Sequence, residues 1–172
     1  MKSGRKILLT VAVTTVAILA FLTWYRVHFS MDVASAYEVN DPGSGARVLI
    51  ATQGSAFKDA VVAGVVARLK ARPAYVKVID VTELTGVNAR DWNAVVVIHT
   101  WEMRRPQLDA RAFVDRSGGS RNVVVLSTSG AGDFKMEGVD AISSASTMED
   151  VPARVAEIGG RIDAILEATP QG

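Results

Sequence analysis

Residues Arg47 to Ser55, RVLIATQGS, constrain the fold of this chain more than any other stretch. A short apolar run ends in a polar turn with one glycine, and helical patterning starts at once at Ala56. The pattern predicts a strand over Val48 to Ala51 that is apolar on both faces. The helix after it carries Phe57, Val61, Val62, Val65, Val66 and Leu69 on one broad stripe and ends at Arg72-Pro73. A strand, a tight turn and a helix N-terminus gather backbone N–H groups and a helix dipole where an anion can sit.

The same alternation continues downstream. Tyr75 to Val81 breaks its apolar run with Lys77 and Asp80, which suits an edge strand. Thr82 to Asn93 has room for one irregular helical turn. Ala94 to His99 and Asn122 to Leu126 read as interior strands, and half-polar Val139 to Ser143 as a second edge. A helix over Pro106 to Arg116 would bury Leu108, Ala112 and Phe113. A last helix, Met148 to Glu167, has Thr147 to cap it, Asp150 three residues on and Pro152 in its first turn. Five strands joined by helices or short crossovers predict a parallel α/β sheet. The order 2-1-3-4-5 places the two edge-like strands at its margins, with a chain reversal between the first and third strands.

Ile7 to Trp24 carries no charge and is long enough for a bilayer core of ~30 Å. The chain therefore divides into a basic tail (1–6), a transmembrane anchor (7–25), a linker (26–46) with Asp41-Pro42-Gly43-Ser44-Gly45, and a domain (47–168). A cleaved signal peptide is the competing reading, with Ala34-Ser35-Ala36 as its small-residue site. Residues 1 to 30 hold +4 through Lys2, Arg5, Lys6 and Arg26. Taking that from the overall +1 leaves the remainder at −3. The basic flank predicts a cytoplasmic N-terminus, one pass through the cytoplasmic (inner) membrane and an extracytoplasmic domain. A mildly acidic domain excludes nucleic acid as a partner. The absence of cysteine excludes thiolate chemistry, and two separated histidines, His28 and His99, give no metal site.

Three loops fall at the carboxyl ends of the interior strands: Thr52-Gln53-Gly54-Ser55, Thr100-Trp101-Glu102, and Ser127-Thr128-Ser129-Gly130-Ala131-Gly132-Asp133-Phe134. The first can hold an anion on its backbone, or Ser55 can simply cap its own helix. Lys58 lies in that helix's first turn, where a cation opposes the dipole, and Asp59 follows it. Trp101 and Phe134 can face one cleft. His99 with Ser129 and Asp133 suggests a hydrolase, but the Gly-x-Ser-x-Gly elbow is absent and a hydrogen-bonded structural histidine is the simpler reading. No catalytic residue is assigned.

Over Arg47 to Leu166 these loops resemble the flavodoxin-like family, as a membrane-anchored branch of it. The resemblance implies a three-layer sandwich, with FMN phosphate in the first loop and the isoalloxazine ring flanked by the other two. It implies electron transfer with a redox partner protein that the sequence does not identify. The family's phosphate loop is Ser/Thr-x-Thr-Gly-x-Thr. Aligned on Gly54, this chain has Ala51, Gln53 and Ala56 at the hydroxyl positions, with Thr52 and Ser55 as substitutes. Little room remains for a helix between the fourth and fifth strands. Asp140 to Thr147 is similar to the signature at which flavin transferases attach FMN covalently, with Ser144 and Ser146 as departures. A non-catalytic binding or scaffold module that has lost flavin is the alternative expectation.

Overall fold

The computed structural model describes residues 2–29 and 31–168, in two compact units that divide between Met31 and Asp32. The first unit is one helix, α1 (Lys2–Phe29). Its segment Gly4–Trp24 has a mean hydropathy of 2.3, apolar and long enough to cross a membrane. Thr10, Thr15 and Thr23 turn their hydroxyls back onto carbonyls four residues earlier, so these polar groups are satisfied within the helix.

The second unit is a three-layer α/β domain. In chain order it holds β1 (Tyr37–Val39), β2 (Ala46–Thr52), α2 (Ala56–Lys70), β3 (Ala74–Asp80) and β4 (Ala94–Glu102). Next come β5 (Arg105–Pro106), α3 (Leu108–Ser117), β6 (Val123–Thr128), β7 (Asp140–Ser144) and α4 (Val151–Ala168). The sheet runs β1-β3-β2-β4-β6-β7, with β5 paired to β4. All neighbours from β3 to β7 are parallel, while β1 and β5 are antiparallel.

Strand alternation splits the core between the two faces. Val48, Ile50, Val96, Ile98, Val124 and Leu126 point to the α2 and α4 side. Leu49, Ala51, Val95, Val97, Val123 and Val125 point to the α3 side. That two-sided burial is why these strands read as continuous apolar runs. Each fully buried aliphatic side chain contributes about 1.5–3 kcal/mol of transfer free energy.

The expected five-stranded sheet is corrected to seven strands. The two additions are three and two residues long, too short to carry a periodicity. Strand β1 lies inside the stretch read as linker, and the second compact unit takes in residues from Asp32 onward. It also covers β3, which is therefore not an edge: Glu38 lies opposite Lys77 and pairs with it at 3.3 Å. The stretch read as a basic tail is helical from Lys2. The region after β3 forms two 3-10 turns, Val81–Gly86 and Ala89–Asp91, rather than one.

Two helix starts also move. The hairpin β4–β5 takes up Arg105 and Pro106, so α3 begins at Leu108, which is 79% exposed rather than inward. Ala110, Phe113 and Val114 form its buried face instead, and Ala112 is exposed. At the last helix Thr147 makes no side-chain cap bond, and Asp150 accepts from Ser144 Oγ at 3.5 Å.

Candidate functional site

The carboxyl ends of β2, β4 and β6 bring the three expected loops to one edge of the sheet. Thr52 is buried, and its hydroxyl donates to Gln53 O at 3.1 Å. Gln53 Oε1 accepts the Thr100 N–H at 2.7 Å, tying the first loop to the end of β4. Ser55 caps α2, its Oγ accepting the Lys58 N–H at 3.3 Å. The two hydroxyls that could replace the family's phosphate ligands are thus engaged locally.

Gly54 is held from outside the loop. Its N–H donates to Asp32 O at 2.7 Å, in an isolated antiparallel bridge. Ala34 N–H, two residues on, donates to Asp80 Oδ2 at 2.8 Å. Asp80 also accepts from Thr82 N–H and Thr82 Oγ1, so it anchors this crossing segment to the end of β3. Nothing in the sequence pattern of residues 32 to 35 signals this contact.

Lys58 is the residue whose environment the sequence misses. It is 2% exposed, with Nζ 3.4 Å from Ser55 Oγ. Burial lowers its pKa to about 8, against the opposing pull of the Asp59 and Glu102 carboxylates. A lysine at a helix start reads as a surface residue, and only tertiary packing folds it inward.

At the second and third loops, Trp101 and Phe134 do meet, but they stack on each other. Their centroids lie 4.9 Å apart with planes 15° from parallel. The Arg104 guanidinium lies over the Phe134 ring, 5.9 Å from its centroid. The indole N–H of Trp101 is buried with no hydrogen-bond partner among the described residues. A flat ring between them needs a separation of about 7 Å, two aromatic contacts of ~3.5 Å. As placed, the two rings leave no slot between them for a flat ring, and Gly54 N–H serves the protein's own backbone.

The remaining loop residues are bound into the sheet edge. Thr100 Oγ1 and Thr128 Oγ1 lie 3.0 Å apart, and Thr128 Oγ1 also reaches His99 O. Ser129 donates to Asp133 Oδ1 at 3.2 Å and accepts the Gly132 N–H at 2.9 Å. Gly130, Asp133 and Glu102 are exposed. His99 pairs with Ser127 rather than Ser129: its Nε2 lies 3.0 Å from Ser127 Oγ. Both side chains are fully buried, and burial lowers the His99 pKa to about 4, with Lys58 adding to that shift. The pair is a buried hydrogen bond within the sheet, between neighbouring strands β4 and β6. In the Asp140 to Thr147 stretch, Ser144 Oγ accepts the Ser146 N–H at 3.3 Å, and Ser146 adopts φ +62°.

No family model matches the chain, and no curated protein matches it. Among solved structures, it is similar to an oxidoreductase from Corynebacterium diphtheriae at 12% identity. The match covers 73% of this chain and 98% of that one, with a TM-score of 0.43. A likeness that distant carries no argument about what this chain does.

Proposed function

We propose that this chain is a non-catalytic binding module of flavodoxin-like fold, displayed on the outer side of the cytoplasmic membrane by a single N-terminal anchor. The parallel core of β3, β2, β4, β6 and β7, with helices on both faces, supports the fold assignment. The 21-residue apolar segment supports the anchor. One observation favours a binding module over a flavin carrier: Trp101 and Phe134 fill with each other the slot that an isoalloxazine ring would need. Fold alone does not confer redox chemistry.

The test uses the full chain purified in detergent, with added FMN. The expected result is an unchanged flavin absorbance and fluorescence, and no yellow colour retained after desalting. Flavin that co-elutes with the protein and is quenched by it would overturn the reading and restore electron transfer. Flavin already carried by the chain as purified, and retained through denaturation, would instead point to a covalent attachment made in the cell, and peptide mapping of Asp140 to Thr147 would locate it.

A further inference from the structure

The segment Asp32 to Ala34 crosses the mouth of the β2–α2 turn, and its hold is made of backbone. Gly54 N–H donates to Asp32 O, and Ala34 N–H donates to the Asp80 carboxylate. Little apolar surface goes with these bonds, since Asp32 is exposed and Val33 is 77% exposed. An open pocket of about 290 Å³ adjoins the segment, lined by Val33, Ser35, Tyr37, Thr52, Val62 and Val78. The segment bridges the turn instead of packing into it. Contacts of this kind, bonded but barely buried, open at far lower free energy than a sheet core.

Gly54 is the one position where the first loop keeps the family's residue, and the reason is visible here. A Cβ on Gly54 would lie 2.8 Å from Asp32 O and 2.9 Å from Asp32 Cβ. Only glycine admits the crossing chain at that distance. We infer that Asp32 to Ala34 is a reversible strap that closes the β2–α2 turn, and that Gly54 serves the strap rather than a phosphate. The inference rests on the reading of a closed cleft, and adds what closes its first loop.

Amide hydrogen exchange on the full chain in detergent tests it, comparing wild type with Ala34→Pro and Gly54→Ala. Ala34→Pro removes the donor to Asp80 without touching the turn, and Gly54→Ala expels the strap by collision. The amide of residue 54 should be protected in wild type and exchange roughly tenfold faster or more in both variants. Amides of β4 and β6 should stay unchanged. Exchange at residue 54 that is already fast in wild type, or that moves in neither variant, overturns the strap. Loss of protection in β4 and β6 together with residue 54 overturns it too, because the segment would then belong to the core. Adding FMN to the same samples separates the two ideas. Quenching in wild type overturns the closed cleft and leaves the exchange result standing, while quenching confined to the variants supports the strap as its gate.

Discussion

His99 makes the domain acid-sensitive in a calculable way. The imidazole is fully buried, with Nε2 3.0 Å from Ser127 Oγ and Nδ1 3.3 Å from Thr100 O. Burial lowers its pKa from 6.5 to about 4, with the Thr100 carbonyl opposing the shift and Lys58 adding to it. Between those values the unfolded chain binds a proton that the folded chain refuses. Stability from this group is therefore complete above pH 6.5 and is lost as pH falls toward 4. Lowering the pH from 7.5 to 4.5 should cost about 2–3 kcal/mol through His99 alone.

The assay is urea unfolding of the full chain in mild detergent at both pH values, followed by tryptophan fluorescence, for wild type and His99→Gln. Carboxylates titrate in both proteins, so the difference between the two losses isolates the histidine. The variant should lose about 2–3 kcal/mol less than wild type over that interval. If the two losses agree within about 0.5 kcal/mol, below what linkage demands, the burial argument fails. An NMR titration of His99 above pH 6 would refute it directly.

Three further outcomes follow from single contacts. Lys58→Met should stabilise the domain near pH 7, because the depressed lysine pKa means the buried ammonium is carried at a cost. The folded lysine deprotonates near 8 and the unfolded one near 10.5, so wild type gains stability through that window and the advantage of Met should vanish above it; urea melts at pH 7 and 11 check this. Gly64→Ala should destabilise by about 1–3 kcal/mol, since its Cβ would lie 2.6 Å from Val155 Cγ2 and push α2 from α4; thermal unfolding measures it. Arg68→Ala should cost under about 1 kcal/mol, because its ion pair with Asp163 is 44% exposed on the arginine side and Arg72 also pairs with that carboxylate.

The interior of the fold was legible because its signals are local. Continuous apolar runs at Val48, Ala94 and Asn122 require burial on both faces, and the stripe from Phe57 to Leu69 requires one sheet beneath it. What escaped was set by partners distant in sequence. Strand β1 exists because Tyr37 to Val39 meet Val76 to Val78, and three residues show no period of their own. The β4–β5 hairpin turns on Met103 and Arg104, both at positive φ, without the glycine or asparagine that normally announces such a turn. Leu108 reads as inward because it is apolar, yet five residues before Phe113 it lies about 140° away around the helix, off the face that Ala110, Phe113 and Val114 bury.

The candidate site divides along the same line, and the division bears on function. Proximity of the three loops followed from topology, since parallel strands deliver their carboxyl ends to one edge. Whether that edge is open depends on contacts no spacing encodes. Trp101 and Phe134 satisfy an expectation of two rings facing one cleft equally well apart or stacked, and only their separation of 4.9 Å distinguishes a slot from a lid. Gly54 satisfies a phosphate motif and a close backbone crossing with the same missing Cβ. The glycine demands a near neighbour in either case. Asp32 O at 2.7 Å supplies that neighbour from the protein's own chain, and a ligand at this turn must first displace it.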